Sequence, residues 1–384
     1  MNVLTKIRYD NLTAEIEFPI DDDSLDKILR DNYMSTDTTT PFYVRSIDYP
    51  NALSVLEGRT VNLDELNYLA KRMECFFDDE YNQFSIAVER TNATTIKDMI
   101  NLTFNLDKYT LITDISDMTK VGRDYILNTE GAVPADSRYD AKYAQIGRDL
   151  LNSGRGIFTD KGLLFVEEKP LEEIYDGQVF PTFAYNAAIA DVEIEYNGKM
   201  ETVFLPDSEL AFGKALNRLG AKYLEDCDCV MEILNPKYSN LSEPLDQVFT
   251  SNGINELNEI IKRLECEDIE PKKLAAAIEY TGVTSPHDIG VLMDNIDDLE
   301  LISDIDEGDY DEVGRYFINT SDDYDLSEEL EDFFDFHEFG EYIADERSGQ
   351  FVSGGFIYYD GTYDMTDILD ELDSADNSMR MGGM

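Results

Sequence analysis

The stretch Asp304-Ile305-Asp306-Glu307-Gly308-Asp309-Tyr310-Asp311-Glu312 places six carboxylates in nine residues. Oxygen ligands at that density could hold a hard cation such as calcium. The spacing fails the calcium-loop pattern. Gly308 stands at the fifth loop position rather than the sixth, and the twelfth is Arg315 instead of Glu. Weak, incidental divalent binding is all that such a cluster predicts. The other candidates for chemistry are few. The two histidines, His287 and His337, read as surface or packing residues, because neither has a nucleophile at a recognisable spacing. Gly-x-Ser-x-Gly, His-Glu-x-x-His and phosphate-cradling glycine loops are all missing from the sequence. Cys227-Asp228-Cys229 is spaced wrongly for a zinc knuckle and lacks a second pair of ligands. Cys75 and Cys266 recur at one repeat position at the end of a helix and read as packing residues. Paired carboxylates occur throughout, so they single out no acid–base site. No catalytic residue, metal or cofactor is assigned, and a divalent-dependent enzyme built on carboxylates has neither histidine nor nucleophile behind it.

What the chain does have is negative charge. Asp and Glu number 82 against 31 Lys and Arg, a formal charge of −51 over 384 residues. Residues 1–200 hold 36 acids and 20 bases, a net of −16, while residues 201–384 hold 46 and 11, a net of −35. Such a chain repels nucleic acid, anionic membranes and most acidic proteins, and attracts basic surfaces from a distance. The expected partner is a protein with a basic cleft, and such clefts are commonly built to hold DNA or RNA. Disorder is not expected, because 42% of residues are hydrophobic and 11% aromatic. A salt-adapted proteome would also give acidic surfaces, but the frequent Ile, Asn and Tyr do not suit it. Four cysteines give no disulfide framework, the opening Met1-Asn2-Val3-Leu4-Thr5-Lys6 has no apolar leader, and runs such as Leu163-Leu164-Phe165-Val166 are far short of a span. The expectation is a soluble, reduced, cytoplasmic protein that touches no membrane.

The acids concentrate in one region. Asp294, Asp297, Asp298, Glu300, Asp304, Asp306, Glu307, Asp309, Asp311 and Glu312 are followed by Asp322, Asp323, Asp325, Glu328, Glu329, Glu331, Asp332, Asp335, Glu338 and Glu341. Interleaved Phe333, Phe334, Phe336, Phe339 and Tyr342 predict an ordered helix with a buried aromatic stripe and a charged outer face. An ordinary solvated helix would carry more Lys at i,i+4 spacing. Duplex DNA carries one charge per roughly 1.7 Å of axis, so 51 charges match the phosphates of about 25 base pairs. These twenty acids are read as a surface that imitates phosphates. An acidic scaffold or chaperone for other basic or DNA-binding proteins is the alternative.

The elements that must carry this surface repeat. Glu65-Leu66-Asn67-Tyr68-Leu69-Ala70-Lys71-Arg72-Met73-Glu74-Cys75 returns as Glu256-Leu257-Asn258-Glu259-Ile260-Ile261-Lys262-Arg263-Leu264-Glu265-Cys266, with seven of the eleven positions identical. Thr113-Asp114-Ile115 answers Ser303-Asp304-Ile305. Val121-Gly122-Arg123 answers Val313-Gly314-Arg315, and Gly147 answers Gly340. The offset of about 190 residues is domain-sized, unlike the ~20–50 residues of a solenoid. The predicted layout is a first copy at 1–172, a linker at 173–182 marked by prolines and Asp176-Gly177, a second and more acidic copy at 183–362, and an acidic tail at 363–384. In that tail Met365–Leu372 could form a short amphipathic helix.

Within the copies, Ala14–Phe18 alternates as a half-buried strand that Pro19 stops, and Ser24–Arg30 reads as a helix. Thr202–Leu205, Pro206 and Ala211–Leu219 repeat that order. Asn62–Met73 is helical, with Leu63, Leu66, Leu69 and Ala70 on one face. Asp325-Leu326-Ser327-Glu328 looks like a capping box opening a helix through about Ile343. Hairpins are expected at Gly156–Phe158 with Leu163–Val166, and at Gln350–Val352 with Phe356–Tyr359. The class is α+β, an elongated series of small α/β subdomains with short antiparallel strands in two tandem copies.

One resemblance joins these features. Val121-Gly122-Arg123-Asp124-Tyr125-Ile126, Glu130-Gly131-Ala132-Val133-Pro134, Tyr139, Tyr143, Gly147-Arg148-Asp149-Leu150, Ser153-Gly154 and Gly156-Ile157-Phe158 resemble the closing segment of ArdA-type antirestriction proteins. Phe18-Pro19-Ile20-Asp21, the stretch Phe42–Tyr49 and the helix from Leu63 follow in the family's order, so the likeness spans most of residues 1–168. The second copy keeps Val313-Gly314-Arg315 but has Gly340-Glu341 where the family pattern has Gly-Arg-Asp. The resemblance implies a DNA mimic from a mobile element or phage. It implies an elongated, non-enzymatic protein that pairs into a curved dimer and occupies the DNA channel of type I restriction–modification enzymes. Two copies in one chain depart from the family norm and leave either a homodimer or an intramolecular pseudo-dimer open.

Overall fold

A computed structural model of the chain describes residues 2–167, 169–321, 324, 326–327 and 329–360. The chain opens with β1 (Val3–Tyr9) and β2 (Leu12–Phe18), an antiparallel hairpin in register Val3↔Phe18 to Tyr9↔Leu12. Ala14, Ile16 and Phe18 point inward, so the expected half-buried strand is present. Helix α1 (Asp22–Asp31) follows, its first turn capped by the Asp21 carboxylate, which accepts from Ser24 N at 2.8 Å. Strand β3 (Phe42–Tyr49) pairs with the other edge of β1, and the short β4 (Thr60–Val61) extends the sheet to the order β2-β1-β3-β4.

Three helices come next: α2 (Leu63–Glu74), α3 (Asp78–Thr91) and α4 (Ile96–Thr103). The predicted face of α2, namely Leu63, Leu66, Leu69 and Ala70, is buried in the core that also holds Phe18, Phe84 and Met99. Strand β5 (Tyr109–Ile112), helices α5 (Met118–Glu130) and α6 (Asp140–Asn152), and strands β6 (Ile157–Thr159) and β7 (Gly162–Val166) form a separate layer. The expected hairpin is there, but β5 joins it, so β7 is the middle strand in the order β5-β7-β6. Helices α5 and α6 touch through glycines. A Cβ on Gly122 would overlap the Tyr143 carbonyl, and one on Gly147 would overlap that of Met118.

The later sequence runs through the same kinds of element. Strands β8 (Ala190–Tyr196) and β9 (Lys199–Leu205) precede α7 (Glu209–Leu219) and β10 (Asp228–Ile233), with β8 central in the order β10-β8-β9. Helices α8 (Ser242–Asn252), α9 (Ile254–Cys266), α10 (Pro271–Thr281) and α11 (Pro286–Asp294) follow. Strand β11 (Leu299–Ser303), helices α12 (Tyr310–Thr320) and α13 (Phe336–Glu346), and strands β12 (Gln350–Val352) and β13 (Gly355–Tyr359) close the described chain. Their sheet has the order β11-β13-β12. Gly314 and Gly340 meet the carbonyls of Phe336 and Tyr310 as closely as Gly122 and Gly147 meet theirs. The result is a mixed α/β fold of several small antiparallel sheets and helices.

Three expectations change. The helix predicted from Asp325 begins at Phe336, because Asp335 caps it by accepting from Glu338 N at 3.0 Å. Glu331–Phe333 forms a separate 3-10 turn, and Asp325 and Glu328 lie outside the described residues. The aromatic stripe is narrower than expected: Phe336 is buried, Phe334 and Phe339 are half-buried, and Phe333 is 86% exposed. The segment 173–182 is no free tether. Tyr175 and Phe180 are buried in the first core, since apolar rings that size gain ~2 kcal/mol each by leaving water. The short helix expected at 365–372 and the tail from 363 lie outside the described residues.

The chain divides into two compact units. The first comprises residues 1–187, 193–203 and 207–230, and the second 188–192, 204–206 and 231–384. The first unit holds 41 acids and 23 bases, a net of −18, and the second 41 and 8, a net of −33.

Candidate protein-binding surface

In the second unit the acids of the densest region sit on regular elements and on the loops that join them. Asp294 ends α11, Asp297 and Asp298 lie on the 3-10 turn Ile296–Asp298, and Glu300 points out from β11 between the buried Leu299 and Ile302. Asp304, Asp306 and Glu307 occupy the loop before α12, whose first turn carries Asp311 and Glu312. All of these are exposed. Asp309 is half-buried, because its carboxylate caps α12 by accepting from Glu312 N at 3.1 Å. Glu329, Glu331, Asp332, Asp335, Glu338 and Glu341 are exposed as well, and Asp322, Asp323, Asp325 and Glu328 lie outside the described residues. Alternation fixes the carboxylates. Ile296, Leu299, Ile302, Val313 and Phe317 anchor the same elements from inside.

Several basic side chains among the described residues of this unit are engaged. Arg263 donates to Glu267 at 2.8 Å and to Asp294 at 2.7 Å. Lys272 lies 3.2 Å from Asp304, Lys262 lies 2.8 Å from Glu259, and Arg347 pairs with Asp360. The Arg315 guanidinium stacks over the Phe336 ring at 4.0 Å. Each neutralises a carboxylate or covers an aromatic ring, and the large acid excess remains on the outside.

His337 stands half-exposed between Asp311 at 3.7 Å and Glu341 at 3.6 Å, and His287 is exposed on α11. Among the described residues no group of three or more His, Cys, Asp or Glu is gathered to hold a metal ion. Burial pushes the Cys229 thiol up to about 11, with Cys227 and Asp228 adding to it, so it stays protonated at neutral pH. Cys75 is half-buried and donates weakly to Lys71 O and Ala184 O at 3.5 Å, as a packing residue would. Cys266 is exposed, so the packing role read for it does not hold.

Sequence reading missed a buried ionic cluster in the first unit. Lys214 Nζ lies 2.5 Å from Asp22 and 2.7 Å from Asp64, and Arg218 donates to Glu201 and lies 3.6 Å from Asp64. Lys71 lies 3.5 Å from the buried Asp207. Burial raises the Glu201 carboxyl, and Arg218 pulls it back down. The available signal was Lys214 and Arg218 at i,i+4 spacing on one helix in a base-poor stretch. These acids serve cohesion, which lowers the charge that the first unit shows to solvent. No family model and no curated protein matches the chain.

Proposed function

We propose that the chain is a non-enzymatic DNA mimic of the ArdA antirestriction kind, acting in the cytoplasm on a type I restriction–modification enzyme by filling its DNA channel. One observation carries the reading. Among its described residues the second unit presents exposed carboxylates at Asp294, Asp297, Asp298, Glu300, Asp306, Glu307, Asp311, Glu312, Glu338 and Glu341, with a net charge of −33 in the unit's sequence. Rigid anions at that density give channel Lys and Arg their charge partners without the target's own DNA, and counterion release then drives binding as it does for a duplex.

The tandem reading belongs to the same proposal. It is supported by the matched sheet orders β5-β7-β6 and β11-β13-β12 and by the matched glycine contacts of α5 with α6 and of α12 with α13. Two copies in one chain make association intramolecular. The chain then supplies both arms of the mimic as a monomer of 43.8 kDa. Light scattering of an inhibitory chain tests this: a monomer mass is expected, and a tight dimer overturns it.

The binding mode is tested by salt. Log affinity for the enzyme is expected to fall linearly with log salt, with a slope close to that of the DNA it displaces. A flat dependence between about 50 and 200 mM overturns the proposal, because apolar contacts would then hold the complex.

A further inference from the structure

On α2 and α4 the first unit holds a segment of its own chain, and each grip is a named side chain. Asn101 Oδ1 accepts from Ile174 N at 2.7 Å, and its amide donates to Tyr175 O at 2.9 Å. Tyr175 OH donates to Glu65 at 2.9 Å. Phe180 stacks on Tyr68 with ring centroids 4.5 Å apart, and the Arg72 guanidinium lies 4.4 Å over the Phe104 ring. The held segment is acidic through Glu172, Glu173 and Asp176, and Lys97 meets Glu173 at 2.6 Å.

In the second unit the corresponding helices, α9 and α11, border a groove of about 440 Å³ that is open among the described residues. Its floor is Ile260 and Val291. By the repeat offset Glu256 and Arg263 answer Glu65 and Arg72. Glu259 stands for Tyr68, His287 for Lys97, Val291 for Asn101 and Asp294 for Phe104. The backbone clasp, the stacking ring and the ammonium that hold an acidic segment in the first unit are therefore gone. An apolar floor and two added carboxylates replace them. Arg263 is turned to Glu267 at 2.8 Å and Asp294 at 2.7 Å. Lys262 reaches Glu259 at 2.8 Å, but in an exposed pair that water screens. Among the described residues Glu256 has no charge partner.

We infer that this groove receives a lysine- or arginine-bearing segment of a basic partner protein. The aliphatic stem of the side chain lies over Ile260 and Val291, and its cationic head meets Glu256 and Glu259, as suits a side chain with an apolar body and a charged tip. The same charges disfavour an acidic occupant, residues 361–384 of this chain included, which hold six acids and one base. The assignment rests on the two-copy reading, which the mass measurement above judges by itself. Peptide binding is read with no restriction enzyme present, so this site and the antirestriction activity can fail separately.

The test titrates the full chain with tetralysine, with the corresponding peptide of 2,4-diaminobutyrate, which keeps the charge and shortens the stem, and with tetraglutamate. Methyl signals of Ile260, Val291 and Leu69 are followed by NMR. Tetralysine is expected to shift Ile260 and Val291 and to leave Leu69 unmoved, because the chain itself fills that groove. The short-stemmed peptide should bind about threefold more weakly, and tetraglutamate should shift nothing. Glu256→Gln/Glu259→Gln should weaken tetralysine binding on the order of tenfold. Asp306→Asn/Glu307→Gln, an equal loss of charge elsewhere in the unit, should change it less than about twofold. Equal weakening by the two double variants, equal binding of the two cationic peptides, Leu69 shifts that match those of Ile260, or no shift with tetralysine overturns the inference. Shifts caused by tetraglutamate, by raising the concentration of the chain alone, or only after removal of residues 363–384 also overturn it. They reassign the groove to an acidic segment, to a second copy or to the chain's own end.

Discussion

Lys214 reaches Asp22 at 2.5 Å although the two residues are 192 positions apart, and the lysine side chain is only 9% exposed. A second carboxylate, Asp64, shares the ammonium at 2.7 Å. Removing one partner of a buried ion cluster leaves the others without a counter-charge. Lys214→Ala is therefore expected to cost the first unit about 3 kcal/mol. Urea unfolding measures this, and adding Asp22→Asn and Asp64→Asn should restore most of it. A loss near zero in the single variant would show that the cluster contributes nothing to stability.

The same lysine sets an alkaline limit. Burial pulls its pKa down, but Asp64 and Asp22 push harder, so it stands above its ordinary 10.5 in the folded chain. A base raised in this way contributes stability that is complete at neutral pH and is lost as pH climbs beyond 10.5 and through the raised value. Burial holds Tyr358 up to about 12, with the same sign. Burial also raises Glu201 and Asp207, so the folded state favours their protonated forms, and their contribution fades as pH rises out of the acid range. The urea midpoint should hold between about pH 7 and 9 and fall above about pH 10.5. A fall already complete by about pH 9 would contradict the assignment.

Glycines give a sharper contrast. Gly147→Ala and Gly340→Ala drive a Cβ into the Met118 and Tyr310 carbonyls, so each should cost ~2 kcal/mol through helix separation. Gly213→Ala, in α7 with open space around it, should instead stabilise by ~0.5–1 kcal/mol. Thermal unfolding of the three variants checks both signs, and a neutral Gly147→Ala or Gly340→Ala would deny the close packing of α5 on α6 or of α12 on α13.

On the acidic surface, binding and folding separate residue by residue. Reversal of Asp306, Glu307, Asp311 and Glu312 to Lys changes exposed side chains, so the fold should stand while inhibition of the target is lost. Asp309→Lys alone should cost about 1 kcal/mol, because it removes the cap of α12. Circular dichroism and an inhibition assay on the same samples distinguish the two. Full inhibition by the fourfold variant would remove this region from the binding surface.

Much of the scaffold was legible because its signals are local. The alternation of Ala14, Ile16 and Phe18 marks a strand, and Leu63, Leu66, Leu69 and Ala70 mark a helix face. Non-local partners were not legible. Strand β5 enters its sheet across a gap of fifty residues from β7, and neither Tyr109 nor Ile112 announces that partner. Acids look alike in sequence, so Asp22, Asp64 and Glu201 could not be told from the solvent-facing Asp306 and Glu307. Their difference is burial beside Lys214 and Arg218, which only the fold creates. The segment 173–182 misled for a related reason. Its prolines and Asp176-Gly177 signal a turn, while the burial of Tyr175 and Phe180 depends on Tyr68 and Glu65 more than a hundred residues earlier.

The central claim is competition for a DNA channel, and one titration tests it most directly. A purified type I restriction–modification enzyme is bound to labelled duplex, and the intact chain is added without nucleotide or metal while DNA release and, separately, cleavage are followed. Stoichiometric release of the duplex, reversed by excess unlabelled DNA and matched by loss of cleavage, is the predicted result. Retention of the duplex at a saturating excess of the chain, or turnover of DNA or nucleotide by the chain alone, would contradict the account.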